Sequence, residues 1–236
     1  MVLLTVHNIA KTFGKRTVLD RIAFTVNSGE IVGLIGPNGA GKTTLVEILA
    51  GLLEADSGEV SIACRRVASE KRKQGLYYLP DAIRPWPDQT LIWTLRFFER
   101  LNGCAFGEAL LVAAKLNLID LVNARVRSLS KGELKRMMLA IALLAPQPLL
   151  LLDEPFDGLD YRQTQDVMKV LRAHAEEAGK TLFLSIHQLT DASRICGRFV
   201  LLSGGRVAGE GTIDELRQQA GVASGGGLED VFLALT

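Results

Sequence analysis

Ile31-Val32-Gly33-Leu34-Ile35-Gly36-Pro37-Asn38-Gly39-Ala40-Gly41-Lys42-Thr43-Thr44 runs from an apolar, β-branched segment through a glycine-rich turn into a helical pattern that continues to Leu52. Gly36 to Thr43 fit the P-loop spacing G-x-x-x-x-G-K-S/T, and the strand before and helix after are the context that makes the match specific. Glycines let successive backbone N–H groups converge on phosphate oxygens, and the helix N-terminus adds its positive dipole end. A lysine at Lys42 reaches the β- and γ-phosphates, and the Thr43 hydroxyl ligates Mg2+. The stretch predicts a nucleotide site in which Gly36, Pro37, Asn38, Gly39, Ala40, Gly41, Lys42, Thr43 and Thr44 surround the phosphates.

Outward from this loop, short apolar runs alternate with helical patterns, which is the signature of an α/β domain. Strands are predicted over Leu3–Ile9, Ile22–Val26, Ile31–Ile35, Val60–Ala63 and Leu76–Leu79, then Leu149–Leu152, Thr181–Ser185, Phe199–Leu202 and Val207–Glu210. Leu149 to Leu152 form a continuous apolar run, as expected of a parallel strand buried on both faces. Helices are predicted over Lys42–Leu52, Leu91–Asn102, Glu108–Leu116, Lys131–Leu144, Arg162–Glu177, Leu189–Cys196 and Ile213–Gln219. Between about Trp86 and Ala145 strand signals vanish, so a helical subdomain inserted into the α/β core is expected there. Gly221 to Gly227 read as a flexible linker to a short terminal helix starting at Leu228.

Asp153 and Glu154 directly follow the Leu149–Leu152 run. An acidic residue at the end of a buried strand suits the Mg2+-holding Asp of a P-loop ATPase. Glu154 beside it is placed to polarise an attacking water. The expected fold is therefore a P-loop NTPase core, a mixed sheet with helices on both faces, accompanied by an antiparallel β part.

Composition narrows the function classes. The 236 residues carry 27 Lys+Arg against 26 Asp+Glu, a net charge of +1, which gives no support for a nucleic-acid footprint. A 48% hydrophobic content excludes disorder as the main state. Cys64, Cys104 and Cys196 offer neither a disulfide framework nor a zinc spacing, and suit a reducing compartment. The first residues do not read as a signal peptide. The longest apolar stretch, Met137 to Leu152, is broken by Pro146, Gln147 and Pro148, whereas a spanning helix needs about 20 apolar residues.

Several further segments, in a fixed order, carry a resemblance. Leu129-Ser130-Lys131-Gly132-Glu133 stands where an LSGGQ signature would be, Phe156-Asp157-Gly158-Leu159-Asp160 resembles a D-loop, and Ser185-Ile186-His187 a switch-histidine loop. With the P-loop and Asp153-Glu154, the chain resembles the nucleotide-binding subunit of an ABC transporter over essentially its whole length. The resemblance implies an ABC-type ATPase domain over residues 1–220, with the helical subdomain at about 86–145 and a linker and short helix over 221–236. It implies ATP and Mg2+ as cofactors, with Thr43 and Asp153 holding the metal and Lys42 the phosphates. Phe13 would stack on adenine, Glu154 would be the general base, and His187 would contact the γ-phosphate. Ser130 and Gly132 would bind the nucleotide of a second subunit, a copy or a close paralogue, and Asp160 would couple the two sites. A separate membrane permease is implied, with the chain cytoplasmic and peripheral at the inner face of the membrane. Nucleic acid is not an expected partner.

Two departures stand out. Lys131 and Glu133 replace one Gly and the Gln of LSGGQ. Glu133 brings a negative charge near phosphate unless it turns back to cap its own helix, since Ser130 and Glu133 also form a capping box. Asp81 follows Tyr77-Tyr78-Leu79-Pro80, where the family has Gln, and is expected to face Mg2+ or a water. The predicted helix Leu91–Asn102 carries two apolar stripes, Leu91/Leu95/Phe98 and Trp93/Phe97/Leu101. Either both are buried in the helical subdomain, or one helps to form a groove for the permease. The Ser-Lys-Gly signature and the ending Leu228 to Leu235 lean toward export. Two alternatives stay open: a cytosolic ATPase of this type in translation or DNA maintenance, and an ATP-gated clamp with little hydrolysis.

Overall fold

The computed structural model describes residues 1–81, 83–223 and 225–236. β1 (Val2–Phe13) and β2 (Arg16–Asn27) form a long hairpin, followed by β3 (Ile31–Ile35), β4 (Ser57–Ile62), β5 (Arg65–Arg66) and β6 (Leu76–Leu79). β7 (Leu149–Asp153), β8 (Thr181–Ser185), β9 (Arg198–Ser203) and β10 (Arg206–Gly211) complete the set. Every residue of β7 and β8 is buried, which demands cover on both faces of their sheet.

That sheet has six strands in the order β10-β9-β3-β8-β7-β6, parallel except for β10 at one edge. A second, antiparallel sheet has the order β2-β1-β4-β5. Side-chain alternation along β7 divides the core. Leu149 and Leu151 join a cluster with Leu4, Leu34, Leu45 and Phe183, between the sheets and around α1 (Lys42–Ala50). Leu150 and Leu152 face a second cluster with α4 (Lys131–Leu143) and α5 (Tyr161–Ala178). Phe24 and Phe183 stack across the first cluster with ring centroids 5.5 Å apart.

Between β6 and β7 the chain is helical, with α2 (Leu91–Leu101) and α3 (Glu108–Lys115) packed with α4. Thr90 caps α2 by accepting from the Trp93 N–H, and Asp160 caps α5 in a capping box with Gln163. α6 (Leu189–Ile195), α7 (Ile213–Ala220) and α8 (Leu228–Leu235) cover the far end, where Leu228 and Val231 of α8 enter the core.

Two expectations are corrected. The hairpin strands extend well beyond Leu3–Ile9 and Ile22–Val26, because Phe13 pairs with Arg16 across a Gly14-Lys15 turn with Gly14 at φ 59. The outer hairpin residues are exposed and have no apolar alternation to reveal them. The two stripes of α2 also differ: Leu91 and Leu95 are fully buried, whereas Trp93, Phe97 and Leu101 are exposed, so the reading with both stripes buried fails.

Candidate functional site

β3, β8 and β7 are parallel neighbours, so the residues following their carboxyl ends share one edge of the sheet. Those residues are Gly36 to Thr43 after β3, Ile186-His187 after β8 and Glu154 after β7, with Ser185 and Asp153 as the last residues of their strands. Open α/β sheets bind ligands in this place. The Ile186 N–H donates to the Leu34 carbonyl at 3.2 Å and the Glu154 N–H to the Ser185 carbonyl at 3.1 Å, which ties the three loops together.

The P-loop requires its glycines. A Cβ on Gly36 would lie 2.4 Å from the Leu202 carbonyl oxygen, and Gly41, the N-cap of α1, has φ 102. No side chain caps α1, so its first N–H groups are left for an anion. Lys42 is buried, and its Nζ donates to the Gly36 carbonyl at 2.6 Å and the Pro37 carbonyl at 3.3 Å. Burial lowers the Lys42 pKa, while the carboxylates of Glu154 and Asp153 oppose the shift.

Phe13, Arg16, Val18, Glu154 and His187 join Asn38, Gly39, Gly41, Lys42, Thr43 and Thr44 around a cleft of about 390 Å³. Phe13 is 49% exposed, with Lys11 Nζ over its ring at 5.5 Å from the centroid. Gly36 and Ala40 are buried behind the loop, while Pro37 is exposed. The predicted phosphate, adenine and base residues therefore converge.

Burial and the neighbouring Asp153 push the Glu154 carboxyl up to about 7. Burial and Lys42 lower the pKa of His187, whose Nε2 is in direct contact with Glu154 Oε1. Both shifts favour the neutral form of this pair. Glu154 holds a left-handed backbone conformation, φ 51, uncommon for a side chain of this kind. Asp153 is buried at the end of β7, and its pKa is raised by burial.

The Thr43 hydroxyl and Asp153 carboxylate are hard oxygen donors beside a glycine cradle that a Cβ would fill. This donor set fits Mg2+, which is bound through one or two protein oxygens together with substrate phosphates.

Ser130 and Gly132 do not line this cleft. Ser130 is exposed at the N-cap of α4, where its Oγ accepts from the Glu133 N–H at 3.3 Å and its own N–H donates to Glu133 Oε2 at 2.7 Å. Glu133 is thus turned back into the cap. Gly132 is buried, and a Cβ there would lie 2.9 Å from Gln163 Oε1 and 3.1 Å from the Gly158 carbonyl oxygen, a close fit that favours glycine. Lys131 pairs with Asp157 at 2.7 Å.

Asp81 Oδ1 is 2.6 Å from Lys135 Nζ, an ion pair that the sequence does not announce, while the Asp81 side chain stays 43% exposed. Sequence reasoning missed Lys135 and Arg16. A lysine in the apolar row of α4 was the available signal for the first. Arg16 follows only from the hairpin register, which sets it opposite Phe13.

With this geometry in place, comparison with known proteins is direct. The profile of the family described as "ABC transporter" matches residues 19–157, more than half of the chain. The chain belongs to the ABC transporter family. An ABC transporter ATP-binding protein of Methanocaldococcus jannaschii is 35% identical over 218 residues, covering 89% of this chain and 78% of that protein. The Nod factor export ATP-binding protein I of Rhizobium etli is 35% identical over 221 residues, covering 89% and 69%. A solved ATP-binding subunit of an ABC transporter superimposes with a TM-score of 0.88 at 32% identity, over 99% of both chains. An ATP-binding cassette solved as a dimer in a post-hydrolysis state with ADP and Pi gives a TM-score of 0.78 at 25% identity, over 89% and 99%. This ABC cassette binds ATP, and its enzymatic activity is ATP hydrolysis.

Proposed function

We propose that this cassette is the hydrolytic motor of a transporter whose permease is a separate chain, and that two nucleotide-binding chains close on two ATP molecules. The observation that carries the reading is a division within the chain: Lys42, Glu154 and His187 line one cleft, whereas the signature Ser130 is exposed outside it. A signature that serves a partner's nucleotide is expected to face outward in this way.

Water attacks the γ-phosphorus in line with the bond to the β-γ bridging oxygen. That bond breaks, ADP leaves with the bonding electrons, and Glu154 takes a proton from the water. Lys42 and the N-terminus of α1 stabilise charge on the phosphates. His187 contacts the γ-phosphate and orients the water, and Phe13 stacks on the adenine. Thr43 and Asp153 would hold Mg2+, which when bound neutralises charge on the phosphate oxygens.

The permease would meet α2 and the loop before it. Trp86 packs on Phe97 with centroids 4.8 Å apart, and a groove of about 380 Å³ runs along Tyr77, Pro80, Trp86, Phe98 and Met138. Such an apolar surface, with polar residues around it, suits a helix of another subunit. Outward transport is supported by likeness to the Nod factor export protein. No helix among the described residues is long and apolar enough to cross a membrane, in keeping with a chain that sits at the inner membrane face through its permease.

Phosphate release by the purified chain at rising chain concentration tests the two-chain site. Specific activity that climbs with concentration supports it, and activity independent of concentration down to nanomolar chain contradicts it.

A further inference from the structure

Helix α4 places an ammonium where its inward row calls for an apolar side chain. Lys135 shares that row with Met138, Leu139 and Ala142, all buried, and its own side chain is 7% exposed. A charge in such a position persists only when paired and hydrogen-bonded. Lys135 Nζ donates to Asp81 Oδ1 at 2.6 Å and to the Glu154 carbonyl at 3.0 Å. One cation thereby joins the signature helix, the segment after β6 and the segment after β7.

The Glu154 contact is the informative one. A glutamate at φ 51 is held against its own preference, so the neighbours of its backbone must fix it. Its N–H donates to Ser185, and its carbonyl accepts from the Asp157 N–H at 3.2 Å and from Lys135. Of these donors and acceptors, Lys135 is the one side chain. It is also the one whose position depends on α4.

We infer that Lys135 is a positioning residue for hydrolysis: with Asp81 as its counter-charge, it holds the Glu154 backbone so that the carboxylate meets the attacking water, and Asp81 serves this ammonium rather than a metal ion. The inference rests on Glu154 being the base, as proposed above. It also explains the Asp at position 81 through the Lys at 135. An acceptor-only side chain opposite a buried ammonium neutralises a charge that a neutral amide would only solvate.

The test compares Lys135→Met, Lys135→Gln, Lys135→Arg, Asp81→Asn and the double variant Asp81→Leu/Lys135→Met in the full chain. Each is measured for Mg-ATP affinity, for kcat and KM, and for the Mg2+ concentration that half-saturates nucleotide binding. Lys135→Met lowers kcat about 30-fold with KM changed less than about threefold, because only the placement of the base is lost. Lys135→Arg keeps both bonds and recovers activity to within about threefold. Asp81→Asn leaves the Mg2+ requirement unchanged, and the double variant is no slower than Lys135→Met alone, as expected of coupled partners.

Wild-type kcat in Lys135→Met overturns the inference. A raised Mg2+ requirement in Asp81→Asn overturns the role given to Asp81. Loss of nucleotide binding in both Lys135→Met and the near-isosteric Lys135→Gln also overturns it, since Lys135 would then belong to the frame of the fold. Glu154→Gln, run alongside, separates the two levels. Full activity there removes Glu154 as base, whereas an inactive Glu154→Gln beside a normal Lys135→Met removes only the inference about Lys135.

Discussion

Two helix N-termini in this molecule carry the segments proposed above to meet phosphate, and they are built differently. α1 starts at Gly41 with no side-chain cap and no acidic residue in its first turn, so its orphan N–H groups are open to an anion. α4 starts at Ser130 with a complete capping box and Glu133 in its first turn, so two of its terminal N–H groups, those of Ser130 and Glu133, are satisfied from within the chain. The first is ready to bind phosphate in a single chain. On the two-chain reading proposed above, the second would meet a partner's phosphate beside an internal cap that already carries negative charge. Binding is therefore expected to be strong within one chain, and closure of two chains to be the weaker, tunable step.

The largest effect tests the open end. Lys42→Ala weakens Mg-ATP binding at least about 100-fold in calorimetric titration, because a buried charge on the phosphates is removed. An unchanged affinity would take the phosphate site away from α1.

Glu154 gives the next effect, and its sign follows from the raised pKa. The neutral carboxyl is favoured in the fold, so this contribution to stability is full below the ordinary value of 4.5 and is lost as pH rises through about 7. Glu154→Gln escapes that loss. At pH 8 it is more stable than the parent chain by about 1–2 kcal/mol after allowance for partial exposure, a rise in Tm of roughly 4 °C, and the gap closes below pH 5. The same pKa places the acid limb of kcat/KM near pH 7, since the base of the free chain acts as the carboxylate. A gap in Tm that is independent of pH would contradict the burial of Glu154.

The smallest effect sharpens the capped end. Glu133→Gln keeps the capping box and removes the negative charge, so chain stability stays within about 0.5 kcal/mol while ATP-driven association tightens about threefold. Weaker association would mean that Glu133 itself makes a contact across the interface.

The legible parts of this molecule are those whose chemistry is local. Gly36 to Thr43 declare a phosphate cradle because every residue of the motif acts within one turn. Ile31–Ile35, Leu76–Leu79 and Thr181–Ser185 match β3, β6 and β8 residue for residue because buried parallel strands need continuous apolar runs. The outer hairpin was hidden because its residues face solvent on both sides. The ion pair of Asp81 with Lys135 was hidden for another reason: 54 positions separate the partners, and only the packing of α4 on β6 brings them together. The exposure of Trp93, Phe97 and Leu101 was likewise a property of packing, since both stripes of α2 are apolar and only the neighbours decide which one is covered.

Light scattering of the Glu154→Gln chain with and without Mg-ATP tests the central claim most directly, because that variant binds nucleotide and cannot proceed. The account predicts that saturating Mg-ATP doubles the mass of the particle, and that adding Ser130→Arg abolishes the change without abolishing ATP binding. A chain that stays a monomer with ATP demonstrably bound would contradict the assignment of the α4 N-terminus to a second chain's nucleotide.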